Sequence, residues 1–169
     1  IQKKYLNLKY SKIFSNKFEK DFKKINLDFE DPSNLINLLN INYNFNFNIK
    51  DLKKFKKFYT LAIVGMGGSI LGAKAIYHAL EKKIKKKVYF FDDIDFKKIH
   101  SFKKRENTKK VLFLIISKSG NTIETISNLL SLDIIKKGSQ NIIIISEKNN
   151  NFLNLLSKKL NIFYIEHKK

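Results

Sequence analysis

Residues 59–72 read Tyr-Thr-Leu-Ala-Ile-Val-Gly-Met-Gly-Gly-Ser-Ile-Leu-Gly, a short apolar run that breaks into glycines and resumes with small and apolar residues. Tyr59–Val64 has the length and composition of a strand buried on both faces. Beyond the glycines the pattern predicts a helix from about Ser69 to Leu80. The same alternation repeats downstream. Strands are predicted at Val88–Phe91, Val111–Ile116, Asn141–Ile145 and Ile162–Ile165. Helices are predicted between them at Asp95–Lys104, at Thr122–Lys136 with Gly138 as its terminator, and at Asn151–Leu160. Such a series specifies an α/β fold, a three-layer sandwich with a five-stranded parallel sheet between helices. Right-handed crossovers leave few topologies, and the strand order expected is 2-1-3-4-5. In that order the chain leaves strands one and three in opposite directions. The crevice at their carboxyl ends is where ligands bind in open sheets of this kind.

Upstream of this series the chain is rich in Asn and Lys. Phe14, Phe18, Phe22 and Ile25 share one stripe at helical spacing, which predicts an amphipathic helix over Ser11–Asn26. Asp31-Pro32 reads as an N-cap and first helical position of a short helix through Leu39. Ile41–Ile49 alternates apolar residues with Asn, the period-two pattern of an edge strand or extended arm. The expected division is an N-terminal helical or extended segment at 1–57 and the sheet domain at 58–169.

Composition excludes several classes. Apolar residues make up 43% of the 169, enough for a core. There is no cysteine, which removes disulfides, thiolate metal sites and thiol nucleophiles. Val111–Ile116 is the longest apolar run, far short of the ~18 residues of a membrane span. With no export pattern at the start, a cytoplasmic location without membrane partners is expected. The formal charge is +19, yet the 34 basic residues include a single arginine, Arg105, and the lysines are scattered. A dedicated nucleic-acid reader uses arginine forks against guanine and phosphate. The charge therefore reads as compositional, with no specific nucleic-acid partner, although it attracts anionic substrates at long range.

Two loops carry chemistry. The first is Gly65-Met66-Gly67-Gly68-Ser69, with Gly72 in the following helix. Glycines admit a ligand close to the backbone, and a helix start offers free N–H groups and a positive dipole end, which together make an anion site. Ile70 breaks the G-x-G-x-x-G dinucleotide fingerprint, and Ala73-Lys74-Ala75 after Gly72 breaks the Walker pattern. The second is Ser117-Lys118-Ser119-Gly120-Asn121-Thr122, continuing Ile123-Glu124-Thr125. Hydroxyls and backbone N–H groups can surround the three oxygens of a phosphate monoester, and lysine supplies a point charge. Asn121 and Glu124 also have the spacing of a capping box, which is compatible with binding.

The pair Gly67-Gly68-Ser69-Ile70-Leu71-Gly72 and Ser117–Thr125 resembles the two signature loops of the sugar isomerase (SIS) domain. The second loop is most similar to that of the glucose-6-phosphate isomerase family, and the resemblance covers about residues 58–165. It implies that Gly68 and Ser69 contact the sugar phosphate. Ser117, Ser119 and Thr122, with the backbone of Gly120 and Asn121, would hold the phosphate, with Lys118 beside the substrate and Glu124 a further candidate. Members usually carry Thr where this chain has Asn121. The implied reaction interconverts glucose 6-phosphate and fructose 6-phosphate by proton transfer through an enediol, with no cofactor, in a cytoplasmic homodimer.

The resemblance also implies a second SIS domain and a helical tail, which hold the family's base, ring-opening His, Arg and late Lys. This chain begins with Ile1 and ends at Lys169, so it is expected to be an N-terminal fragment, inactive alone, with its catalytic residues unassigned. His78, His100 and His167 read as structural or solvent-facing. Asp92-Asp93 reads as loop or cap residues, and no His/Asp/Glu spacing marks a metal site. The alternatives are a stand-alone SIS sugar-phosphate sensor, another SIS-type aldose-ketose isomerase, or a nucleotide-dependent oxidoreductase domain.

Overall fold

The computed structural model describes residues 15–31, 34 and 45–167. Two compact units are formed, Ile1–Phe45 and Asn46–Lys169. In the first, helix α1 spans Ser15–Glu30, and Phe18 and Phe22 stack with centroids 5.9 Å apart on the predicted stripe. The helix runs four residues beyond the expected Asn26; residues 11–14 lie outside the described residues, as does nearly all of the helix expected from Pro32 to Leu39.

The second unit opens with a 3₁₀ helix, Ile49–Phe55, followed by β1 (Thr60–Gly65), α2 (Gly68–Leu80), β2 (Lys87–Phe91) and α3 (Phe96–Arg105). A one-turn 3₁₀ helix at Thr108–Lys110 leads into β3 (Val111–Ile116), α4 (Ile123–Leu132), β4 (Ile142–Ser146), α5 (Phe152–Leu160) and β5 (Phe163–Glu166). The five strands form one parallel sheet in the expected order β2-β1-β3-β4-β5.

Alternate residues of each strand feed two cores. Ala62, Val64, Phe91, Phe113, Ile115, Ile142 and Ile144 face one side, packed by Ile99 and Phe102 of α3, Leu129 and Leu132 of α4 and Leu153 of α5. The other side carries Leu112, Leu114, Ile143, Ile145 and Phe163, closed by Phe55 and Phe58. Helix α2 lies on this second side, since Tyr77 meets Phe90 edge-on at 5.5 Å. The sheet is therefore the middle of three layers.

Two expectations fail for local reasons. Helix α4 stops at Leu132, not Lys136, because Asp133 adopts a left-handed conformation (φ 53°) with its N–H on the Leu130 carbonyl. Ile134, whose apolar side chain prolongs the helical pattern in sequence, is buried in the core beyond the helix end. Gly138 turns the chain later, its N–H donating to the Leu160 carbonyl at 2.7 Å. Of the Asn-alternating stretch, residues 41–44 lie outside the described residues, and the described end, Phe45–Ile49, is not a strand. Asn48 caps the 3₁₀ helix by accepting from the Lys50 N–H at 2.9 Å, and Asn46 donates to the Glu166 carbonyl. Asparagine side chains here compete with the ladder for backbone groups.

Candidate functional site

Gly65 and Ile116 are register partners at the carboxyl ends of β1 and β3. Neighbouring strands lie about 4.8 Å apart, so the loops that follow them leave the sheet side by side on one rim. A side chain at position 65 would crowd the junction, because a Cβ there would lie 3.0 Å from the Ile116 carbonyl oxygen.

The first loop is short. Gly67 takes φ +53° and serves as the N-cap of α2, with no side chain to cap it. Gly68 is exposed, and nothing lies within 4 Å of where its Cβ would project. Ser69 is half-buried, and its N–H donates to the Met66 carbonyl at 3.1 Å.

In the second loop three hydroxyls converge. Ser117, almost fully buried, lies 2.9 Å from the Thr122 hydroxyl, and the exposed Ser119 hydroxyl lies 3.4 Å from the same atom. The Gly120 N–H donates to the Ser117 hydroxyl at 3.1 Å, and the Asn121 N–H to the Ser119 hydroxyl at 3.3 Å. These two N–H groups, expected to face a phosphate, are thus directed into the loop itself. Lys118 is exposed, while its carbonyl accepts from the Glu147 N–H at 3.0 Å.

Thr122, not Asn121, is the N-cap of α4, and its hydroxyl caps nothing because it belongs to the serine cluster. The capping box expected between Asn121 and Glu124 is absent. Asn121 instead accepts from the Phe152 N–H at 2.8 Å, and Glu124 is half-buried in the first turn of α4.

Capping sets α2 and α4 apart from the other elements of the unit. Asp95 caps α3, Asn151 caps α5, and Asn48 and Asn107 cap the two 3₁₀ helices. Helices α2 and α4 have no side-chain cap, and they are the two that start beside each other above β1 and β3. At α2 the Ser69 and Ile70 N–H groups donate to the Met66 and Gly67 carbonyls, whereas at α4 an uncapped dipole end beside three hydroxyls favours an oxyanion.

The remaining candidates fall elsewhere. Asp92 ties the end of β2 to α2 through Lys74, with Lys98 of α3 at 3.5 Å. Burial pushes its carboxyl up, but the Lys74 hydrogen bond and the charges of Lys74 and Lys98 outweigh this and hold it below its usual value. Asp93 pairs with Lys98 at 3.3 Å. Both aspartates are loop anchors, as read from the sequence. His78, His100 and His167 are exposed on α2, on α3 and after β5. Among the described residues no group of three or more His, Asp or Glu side chains could hold a metal.

A cleft of about 620 Å³ opens at the opposite end of the sheet, lined by Lys57, Tyr59, Lys109, Lys136 and Asn141 among others. It sits at the amino ends of β1, β3 and β4, away from both loops and from the switch point where such sheets bind ligands. Sequence reasoning missed Asn151. It is 2% exposed, and its side chain lies where a Cβ on Gly120 would have to go. An asparagine before an apolar helical run signals a cap, but nothing in the sequence marks its contact with a loop thirty residues earlier.

The phosphoglucose isomerase family model matches residues 50–155, which include both loops. Glucose-6-phosphate isomerase of Methanocaldococcus jannaschii is 40% identical over 81 residues, covering 48% of this chain and 20% of that protein. The enzyme of the same name from Borreliella burgdorferi is 36% identical over 106 residues, covering 56% of this chain and 20% of its own length. Among solved structures, a glucose-6-phosphate isomerase from Chlamydia trachomatis superposes with TM-score 0.54 at 25% identity, over 68% of this chain and 23% of that one. The chain thus spans about a fifth of the length of the curated relatives it matches. With the family model covering most of the sheet unit and both loops on one rim, the chain belongs to the phosphoglucose isomerase family.

Proposed function

We propose that this chain is the N-terminal, phosphate-binding portion of a glucose-6-phosphate isomerase, acting on hexose 6-phosphates in a cytoplasmic homodimer. The observation that carries the proposal is the pair of helix starts without side-chain caps above adjacent strands, with three hydroxyls converging at the start of α4. The phosphate would sit against the first turn of α4. Ser119 and Thr122 can exchange their 3.4 Å contact for phosphate oxygens. Buried Ser117 orients Thr122 and holds the Gly120 N–H, so that Gly120 shapes the loop. Lys118 adds charge from the exposed rim. Gly68 and Ser69 would face the sugar, with no side chain at Gly68 to keep it out.

The full reaction moves a proton between adjacent carbons through an enediol, which requires a positioned base and stabilisation of the developing oxyanion. Neither the histidines nor Glu124 stands as such a base in this chain. It is therefore expected to bind weakly and to turn over nothing by itself.

Calorimetric titration with fructose 6-phosphate and with unphosphorylated fructose tests this reading. Binding should depend on the phosphate, and replacing Ser119 and Thr122 together by Ala should remove that dependence. Equal binding of both sugars, or a double variant that behaves like the unaltered chain, would overturn the phosphate cradle. Isomerase turnover by the purified 169-residue chain would overturn the assignment of catalysis to residues outside it.

A further inference from the structure

We infer that Asn121 is a positioning residue and not a phosphate ligand: its side chain latches the loop between β3 and α4 onto the first turn of α5, and so fixes the hydroxyl cluster in its anion-accepting form. The inference rests on the phosphate reading above and specifies how that site is held.

Three N–H groups open α5, and all three are taken. Phe152 donates to Asn121 Oδ1 at 2.8 Å, Leu153 to the Gly120 carbonyl at 3.1 Å, and Asn154 to Asn151 Oδ1 at 2.8 Å. On the same seam the Glu147 N–H donates to the Lys118 carbonyl at 3.0 Å, and Asn151 Nδ2 donates to the Glu147 carbonyl at 2.7 Å. Lys118 is therefore bonded to the segment between β4 and α5, and Gly120 and Asn121 to the first turn of α5 itself. Only an oxygen can accept from the Phe152 N–H, which fixes the orientation of the Asn121 amide.

This has an electrostatic consequence. Helix α5 starts on the same rim as α4, but its N–H groups are satisfied by the loop and by Asn151, while α4 is left without a side-chain cap. An anion arriving between α4 and α5 meets one open helix end and one closed one. The latch thus directs it to α4, beside Ser119 and Thr122. Without the Asn121 oxygen, the Phe152 N–H is free and the loop loses one of its ties.

Asn121→Ala and Asn121→Asp separate latch from ligand. Aspartate keeps an oxygen for the Phe152 N–H but adds a negative charge, which a phosphate in direct contact would reject. Titration of the full chain with inorganic phosphate and with fructose 6-phosphate should show Asn121→Ala at least about fivefold weaker, and Asn121→Asp within about threefold of the unaltered chain. Amide exchange at Phe152 should be slow in the unaltered chain and in Asn121→Asp, and about tenfold faster in Asn121→Ala. Weaker binding by Asn121→Asp than by Asn121→Ala would make Asn121 a ligand and overturn the inference. So would a lower melting temperature in Asn121→Ala with unchanged phosphate affinity, since that would be a purely structural role. Should the unaltered chain bind unphosphorylated fructose as it binds fructose 6-phosphate, the phosphate reading fails and the directing role with it, while the exchange rate at Phe152 still decides whether the latch exists.

Discussion

Gly120 and Gly68 are both loop glycines at the proposed site, yet they answer to different physics. Gly120 sits at φ +68°, and a Cβ there would overlap the buried Asn151 amide that caps α5. Left-handed strain and overpacking add, so Gly120→Ala should cost about 3 kcal/mol of stability, read from the midpoint of a urea titration. Gly68 begins α2 with open space beyond its Cα. Gly68→Ala should leave stability unchanged or raise it by up to about 1 kcal/mol. It should nevertheless weaken fructose 6-phosphate if the sugar lies against that backbone. A Gly68→Ala chain that is both stable and fully competent to bind would remove the first loop from the site. Residue types and spacing marked both loops as candidates, and the structure places them on one rim, after neighbouring strands. The partner of Asn121 was not legible: a capping box is a local signal, whereas the Phe152 N–H reaches Asn121 through tertiary structure.

At the level of elements, strands could be placed to within a residue because each is a short apolar run bounded by polar residues. Helix ends were harder. Ile134 and Ile135 continue an apolar pattern that serves a helix or a core-packed turn equally well, and the left-handed Asp133 decides for the turn. The contact between α2 and the end of β2 through Lys74 and Asp92 was also silent in the sequence. It carries a pH signature. The carboxyl of Asp92 is held below its usual value by its lysine partners despite its burial. A carboxyl more acidic in the folded than the unfolded state stabilises the fold above its unfolded value. That contribution fades as pH falls through the lowered folded value. Asp92→Asn should therefore cost about 1 kcal/mol at pH 7, and thermal melts of the two chains should converge in acid, below about pH 3.9, the ordinary Asp value. A difference that is constant across pH would show that the charge of Asp92 contributes nothing.

For the whole molecule, the observed order β2-β1-β3-β4-β5 is the one expected among the few that crossover handedness leaves, and it places the two loops together before any side chain is considered. The boundary of the sheet unit is a different matter. Polar composition upstream of Phe58 reads as a segment separate from the sheet domain, while the compact unit begins at Asn46. The physical reason is Phe55. It is 5% exposed, meets Phe163 edge-on at 5.3 Å, and with Phe58 closes the core over Ile143. The signal is slight, a spacing of three between Leu52, Phe55 and Phe58, because the rest of the 3₁₀ helix that delivers Phe55 is lysine-rich or solvent-facing. Two truncations test the point. A chain of residues 46–169 should unfold cooperatively and keep its phosphate-dependent binding. A chain of residues 58–169 loses Phe55 and uncovers the sheet face around Phe163, which should cost about 3 kcal/mol and expose apolar surface to dye binding. If the shorter chain is as stable as the longer one in urea, Phe55 contributes no core, and the unit that holds the two loops begins at Phe58 after all.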